Sequence, residues 1–441
     1  MRITVISPGI YTYGAMLIGG VLRDAGYEVT LRRDMHAGKG DMVMLSLFST
    51  QHLISPEIRN FISGHRAGGD LCYVGGPVSA YPEMVLGELR PDAVALGEGE
   101  ETVLRLAEEG ISEDIPGLAW LDSDNKMVST GIAPQADVNH PLPLIPKDIG
   151  QQSVRGASAY IETHRGCTGA CTFCQVPRFF GRSIRSRDLE SIIAEAEAFR
   201  KMGATRLSVS GGTGSLYQYK NGKINEEAFV ELMKGLASVM GPRNISSPDI
   251  RVDCISDTIL DAIRDYTIGW VFFGLETASE PLLHRMGKGA SVEDARVAIR
   301  RCREHGLKVA GSFIVGYPTE TEEDYLATKE FIAEECLDDV FISIAEPIPS
   351  TPLADLVLRT PREENPLYME HTGEYHSLKL SEAEARSFDL QMHADMFKPV
   401  LHVVTDQVFS AYLEGVRKDG IEVKAATEVL YRYYGQNPIP R

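Results

Sequence analysis

Three cysteines crowd into eight residues of this chain, in the run His164-Arg-Gly-Cys167-Thr-Gly-Ala-Cys171-Thr-Phe-Cys174. The run follows directly on Ala159–Thr163, an apolar stretch that reads as a strand. Gly166 and Gly169 let the chain curl, so the three sulfurs can converge on one centre. Three thiolates are one short of the usual four at a zinc or iron–sulfur site. No fourth Cys or His with a fitting spacing follows nearby. Two arrangements satisfy this: a zinc site completed by a distant Cys254 or His164, or a cluster with one open iron that takes a substrate or cofactor.

The other cysteines, Cys72, Cys254, Cys302 and Cys336, are scattered through apolar or helical segments and read as small buried hydrophobes. Seven cysteines in a long, unsecreted chain do not form a disulfide framework. A length of 441 residues allows roughly two to four domains. The net charge of −18 repels polyphosphates, which argues against a nucleic-acid partner. Arg178, Arg182, Arg185 and Arg187 form the densest positive stretch and are expected on a solvated surface. No apolar run is long enough to span a bilayer, and the opening Met1–Pro8 reads as a short strand rather than a signal peptide, so a cytoplasmic protein with no membrane partner is expected.

Residues 1–110 alternate short apolar strands (2–7, 28–32, 41–47, 71–74, 93–96) with amphipathic helices, the first running over 13–25 and closed by Gly26. Uninterrupted apolar strands with helices between them predict a parallel, doubly wound α/β sheet of Rossmann-like type. Ligands of such sheets sit beyond the carboxyl ends of the strands. Residues 111–155 hold Pro116, Pro134, Pro141, Pro143 and Pro146 and read as a linker with a hairpin near Asp122–Lys126. A second alternation fills 156–355, with strands expected at 159–163, 206–210, 251–255, 270–274, 309–315 and 340–344. Six βα units make a partial barrel, since a full eight-unit barrel needs about 250 residues. Residues 356–441 are polar and read as a helical cap, with helices over 381–396 and 402–419.

The CxxxCxxC spacing of Cys167, Cys171 and Cys174, with Phe173 before the third, at the end of a first barrel strand, resembles the radical S-adenosylmethionine (SAM) superfamily. That resemblance implies a [4Fe–4S] cluster on the three cysteines, which act as its metal ligands and catalytic centre, and SAM chelated to the fourth iron. It extends along the barrel in order. Ser210-Gly211-Gly212-Thr213 lies where the family receives the methionyl amine, with Thr213 in place of the usual Glu. Gly274-Leu-Glu276 and Lys288 are similar to segments that bond the SAM ribose, amine or carboxylate; Asp253, on the expected third strand, joins this cofactor-binding set. Ser312-Phe313-Ile-Val-Gly316 looks like the fifth-strand segment against adenine, and Glu346-Pro-Ile-Pro349 like the proline-rich end of the sixth.

Gly75-Gly76-Pro77 followed by Gly97-Glu98-Gly-Glu100 resembles cobalamin-binding domains fused to radical SAM barrels. Ser7, Gly9, Ser46, Phe48, Ser49, Gly75, Gly76, Pro77, Gly97 and Glu98 are the implied corrin contacts. Asp34-Met-His36-Ala-Gly38 departs from the DxHxxG signature of a His-ligated corrin by position and by spacing, so His36 reads as a surface histidine.

Together these resemblances imply a cobalamin-dependent radical SAM C-methyltransferase. One SAM methylates cob(I)alamin, a second yields a 5′-deoxyadenosyl radical that removes hydrogen from an unactivated sp3 carbon, and the substrate radical takes methyl from methylcobalamin. A flavodoxin- or ferredoxin-type electron donor is the implied partner. The short corrin domain, compact barrel and helical tail are similar to enzymes that methylate the α-carbon of a glutamine in methyl-coenzyme M reductase, which implies a protein or peptide substrate. His371, Tyr375 and His376 are candidates to shape its pocket or to lie on a solvated loop. Two alternatives stand beside this: a small-molecule methyltransferase or cyclase in natural-product or cofactor biosynthesis, and a non-catalytic zinc- or cobalamin-binding module.

Overall fold

In the computed structural model, which describes residues 2–400 and 402–435, the chain opens with strand β1 (Arg2–Ile6), helix α1 (Tyr13–Asp24) and strands β2 (Glu28–Arg32) and β3 (Met42–Ser46). Then come α2 (Gln51–Ile54), α3 (Pro56–Ala67), β4 (Cys72–Gly75), α4 (Pro82–Leu89), β5 (Ala93–Ala95), α5 (Glu100–Glu109) and a hairpin of β6 (Leu118–Leu121) and β7 (Met127–Ser129). They build one sheet of order β2-β1-β3-β4-β5-β6-β7, parallel through β5 and antiparallel in the hairpin. Strands β3, β4 and β5 are almost wholly apolar because both their faces are covered, whereas the edge strand β2 is partly exposed. Val43, Leu45, Val74 and Val94 pack on one side, and Ile3, Val5, Met44 and Tyr73 on the other. The strand order reverses between β1 and β3, which opens a ligand crevice at their carboxyl ends. The hairpin was expected within a linker. It joins the sheet instead, because Leu118 and Ala119 bury against β5 while the Asp122 carboxylate ties its turn to the amides of Asp124 and Lys126.

The second unit runs β8 (Ala159–Glu162), β9 (His164–Arg165), α6 (Val176–Phe179), β10 (Arg185–Ser186), α7 (Leu189–Lys201), β11 (Leu207–Ser210), α8 (Glu226–Met240), β12 (Ile245–Ser246), β13 (Asp249–Ile250), α9 (Asp257–Tyr266), β14 (Trp270–Glu276), α10 (Glu280–Arg285), α11 (Val292–Glu304), β15 (Lys308–Val315), α12 (Glu322–Glu335) and β16 (Asp339–Ile344). Two all-parallel sheets, β8-β11-β12 and β13-β14-β15-β16, meet where β12 passes into β13 and make an open six-position barrel. The third strand departs from expectation. Residues 251–255 are not extended, and the pairing falls instead on two short pieces either side of Ser247-Pro248. Proline lacks the N–H a continuous strand needs, and Pro248 packs against Gly214. Alternation fixes what the strands present. Ile161, Val209, Phe273 and Phe313 enter the core beneath the helices, so Glu162, Ser210, Gly274 and Ser312 turn to the barrel interior.

Helices α13 (Pro352–Arg359), α14 (Glu382–Met396) and α15 (Asp406–Tyr434) complete the chain. The last helix was expected to stop near Asp419. Gly420 does not end it, because this glycine is the point where the Glu384 side chain lies directly on the helix. The end of α15 returns to the first unit, where the Tyr433 hydroxyl donates to Glu88 at 3.1 Å and that of Tyr434 to Glu83 at 3.1 Å. No helix among the described residues is long and apolar enough to cross a membrane.

Candidate active site

The cysteine loop leaves β8 and is anchored on every side. Cys167 and Cys171 are buried, and Cys174 is half-buried. A side-chain carbon at Gly169 would stand 3.4 Å from the Cys167 Sγ, 3.9 Å from the Cys171 Sγ and 3.4 Å from Arg251. Glycine thus keeps open a cradle that these two sulfurs border, and its amide donates to the Cys167 Sγ at 3.4 Å. Burial raises the Cys171 thiol and pushes that of Cys174 up to about 11. Thiols so placed stay protonated until a metal takes the place of the proton. The cradle and the donor set fit a cluster on three thiolates. Of the two distant residues that could complete a zinc site, Cys254 points to Asp253 and the His164 ring lies against Gly211.

Of the four arginines expected on a solvated surface, Arg178 and Arg182 are exposed and bonded to this loop, whereas Arg185 and Arg187 turn inward. Arg178 donates to the carbonyls of Cys171 (3.0 Å) and Cys174 (2.5 Å), and Arg182 to that of Thr168 (2.8 Å). Arg185 pairs with Glu98, and Arg187 is fully buried against Glu195 at 2.8 Å. Their carboxylate partners lie far away in sequence or on a later helix, so charge pattern alone did not show them. Burial lifts the Glu195 carboxyl to about 7 even beside Arg187, and the Tyr13 hydroxyl donates to it at 3.0 Å.

Beneath the loop, Gly211 and Gly212 pack too tightly to bear side chains. A carbon at Gly211 would meet the His164 ring at 2.3 Å, and one at Gly212 the Gly166 carbonyl oxygen at 2.4 Å. Thr213 is buried beside them. Across the barrel, Glu276 holds φ +67° at a bulge in β14, a conformation rare outside glycine, and pairs with buried Lys288 at 2.7 Å. The Lys288 carbonyl accepts from Arg251, whose guanidinium also grips Asp253. Asp253 thus reaches this group from a turn rather than a strand. The strained backbone, the ion pair and the two-glycine turn all lie beside the cysteine loop.

Above the loop lies a cavity of about 260 Å³. Ser46, Phe48, Gly75, Gly76, Pro77, Gly97 and Glu98 of the first unit line it, together with Ser210 of the barrel. The sequence missed Tyr13, Glu100, Glu162, Arg165, Phe179 and Phe180 on the same wall. Arg165, two residues before Cys167, carries the junction. It meets Glu98 at 2.5 Å, Glu100 at 2.6 Å and Glu162 at 3.0 Å, with all four side chains nearly buried. Glu98 lines the cavity while pairing with both Arg165 and Arg185. Gln175, directly after Cys174, donates to the Pro77 carbonyl at 2.8 Å.

Other expected contacts fall elsewhere. Ser7 is buried on Thr12, Gly9 and Ser49 lie off the cavity, and Phe313 packs in the core against Phe331. Phe173 packs behind the loop with Leu282 and Met286. Gly316 sits against Ala383 of α14, and its amide donates to Glu320, which pairs with Arg386. Ser312 faces the interior of the barrel. His371 pairs with Glu382, Tyr375 bonds Asp389 and His376 is exposed; none of the three reaches the cavity. His36 is exposed.

A doubly wound domain set over a six-position barrel with a three-cysteine loop defines the class to which the comparisons point. The Radical SAM superfamily profile matches residues 161–332. A Methanocaldococcus jannaschii protein, provisionally named a methylthiotransferase, is 51% identical over 439 residues, covering 98% of this chain and 96% of that protein. The chain belongs to the radical SAM superfamily. The tRNA-2-methylthio-N(6)-dimethylallyladenosine synthase of Aeromonas hydrophila is 28% identical over 52% of this chain, which spans about half (49%) of that enzyme. Among solved structures, the radical SAM methyltransferase TsrM from Kitasatospora setae, with cobalamin and a [4Fe–4S] cluster bound, is similar at TM-score 0.68 and 16% identity, over 97% of this chain and 99% of that one. The cobalamin-dependent SAM radical enzyme OxsB is similar at TM-score 0.68 and 16% identity, over 99% and 73%. The shared architecture spans both units, so the α/β fold, partial barrel and helical C-terminal region expected from the sequence are present.

Proposed function

We propose that this chain is a radical SAM methyltransferase that uses cobalamin to methylate an unactivated sp3 carbon. The observation that carries the reading is the cavity shared by the carboxyl ends of the sheet and the mouth of the barrel, with Cys167 two residues beyond its Arg165 wall. Bound on Cys167, Cys171 and Cys174, a [4Fe–4S] cluster supplies the electron that breaks SAM into methionine and a 5′-deoxyadenosyl radical. The chain's own residues do the rest by position. Gly211 and Gly212 present backbone to the methionyl part of SAM, the Glu276–Lys288 ion pair lies across the barrel from them, and apolar wall residues such as Leu17, Phe179 and Phe180 limit water around a radical. The glycines at 75, 76 and 97 allow a large polar ring to lie close to the sheet.

A second reading, methylthio transfer, is favoured by the name of the M. jannaschii relative. It needs a sulfur source near the substrate, and none of the residues lining the cavity is a cysteine. The charge of −18 also opposes an RNA substrate. The finer substrate proposal is a protein or peptide, with the glutamine α-carbon of methyl-coenzyme M reductase as its most specific form. The test is anaerobic reconstitution with iron, sulfide, cobalamin and SAM, followed by mass spectrometry of candidate peptides, tRNA and small molecules. Methyl transfer adds one methylene, whereas methylthio transfer adds one methylene and one sulfur. A product carrying the added sulfur refutes the first reading. Stoichiometric zinc with no iron–sulfur absorption makes the chain a binding module.

A further inference from the structure

We propose that Arg251, held by Asp253, sets the reduction potential of the cluster through one free guanidinium nitrogen that borders the cysteine loop. This rests on the cluster bound by Cys167, Cys171 and Cys174, and it is independent of the choice between methyl and methylthio transfer. The guanidinium is engaged on one side only. Its Nε and Nη2 donate to the Asp253 carboxylate at 2.9 and 2.8 Å, and Nη2 also donates to the Lys288 carbonyl at 2.8 Å. Among the described residues, Nη1 donates to no protein acceptor. It stands 3.4 Å from the point where a side-chain carbon on Gly169 would lie. That same point is 3.4 Å from the Cys167 Sγ and 3.9 Å from the Cys171 Sγ. The guanidinium is planar, so the nitrogen left free by Asp253 is the one beside the cradle.

A cluster on thiolates gains negative charge when it takes up an electron. A cation, or an N–H aimed at its sulfurs, therefore favours the reduced state. The cations that reach the Cys171 sulfur are Lys288 and Arg251, with Glu276 as the opposing carboxylate. Lys288 and Glu276 answer each other at 2.7 Å, and both are buried. Arg251 is answered by Asp253, but unevenly. The guanidinium side chain is 13% exposed and the carboxylate 34%, so water screens the negative end more than the positive one. The pair thus presents a net positive edge to the loop. A mere brace between the 251–254 turn and the Lys288 carbonyl would use the planar fork of the arginine and not its charge. In the step concerned, the cluster takes one electron from the reductant; no bond forms or breaks, and no proton is needed.

The test is a redox titration of the reconstituted, SAM-free enzyme, with the reduced cluster read by electron paramagnetic resonance and iron content measured alongside. In Arg251→Gln, the ratio of reduced to oxidised cluster at a given solution potential is expected to fall about tenfold, the weight of one hydrogen bond to a charged group, or about 59 mV for one electron. Arg251→Lys keeps the charge without the fork and is expected to recover most of the ratio. Asp253→Asn removes the opposing charge and is expected to raise the ratio about threefold. Opposite signs in Arg251→Gln and Asp253→Asn are the signature of charge, since loss of a brace moves both the same way. If Arg251→Gln does not hold iron, Asp253→Asn decides: a rise supports the proposal, and no change or a fall overturns it. An iron-replete Arg251→Gln protein with the wild-type ratio, or Arg251→Lys no better than Arg251→Gln, overturns it as well. A wild-type enzyme that forms no iron–sulfur cluster is a separate failure, that of the cysteine site itself.

Discussion

Replacing Gly212 with alanine tests how the barrel holds the cysteine loop. Its backbone is not left-handed, so glycine is required there by space and not by conformation. The added carbon would lie 2.4 Å from the Gly166 carbonyl oxygen and 2.8 Å from the Cys167 Cβ. Ordinary contact is near 3.5 Å, so the loop carrying the first cysteine has to retreat by about 1 Å. Overpacking of this kind costs about 1–3 kcal/mol, which a large chain survives. A 1 Å misplacement of reacting groups costs about 100-fold in rate. Gly212→Ala should therefore stay folded by circular dichroism, yet load less iron and form 5′-deoxyadenosine about 100-fold more slowly than wild type under dithionite. Gly64→Ala, where an added carbon meets nothing within 4 Å, is the control. A Gly212→Ala protein with a full complement of iron and the wild-type rate would refute the packing argument.

Arg165→Met strands the carboxylates of Glu100 and Glu162 and leaves Glu98 to Arg185 alone, and should lower stability to chemical denaturation by about 3–5 kcal/mol, far more than removal of an exposed pair such as Arg264 with Asp265. Burial lowers His52, His140 and His164 from 6.5 to about 4. The unfolded chain binds more protons between these values, so stability rises with pH from about 4 to 6.5; denaturant midpoints read across that window should drop on acidification, and a flat profile contradicts the burial argument. Cys171→Ala should abolish the iron–sulfur absorption band, while Cys254→Ala should retain full iron content, because only the former borders the Gly169 cradle.

The repeating elements were legible because their cause is local. The strands expected at 28–32 and 309–315 and the helix expected at 381–396 fall within about one residue of their places, since the pattern that sets each lies inside the segment. The cysteine loop, the two-glycine turn at 211–212 and the glycine-rich strand ends were legible too, since each is a short motif. What escaped was set by distance. Nothing in the sequence near Arg165 points to Glu98, 67 residues earlier, and nothing near Gly420 points to Glu384. The alternation of polar and apolar residues at 251–255 mimicked a strand, but Pro248 and the Arg251–Asp253 pair turn the chain there. Phe313 sat in a familiar motif, yet its parity on β15 sends it to the core while Ser312 faces the interior.

The central proposal is that a corrin in the cavity and a cluster on the adjoining Cys167–Cys174 loop act on the same substrate. It is tested most directly by giving the reconstituted enzyme SAM with a deuterated methyl group and following the label by mass spectrometry under single-turnover reduction. The account predicts label first on the corrin that co-elutes with the chain, then on a product carbon, with one 5′-deoxyadenosine per methyl transferred. Label that reaches product without passing through a bound corrin, or product formed with no 5′-deoxyadenosine, would contradict it.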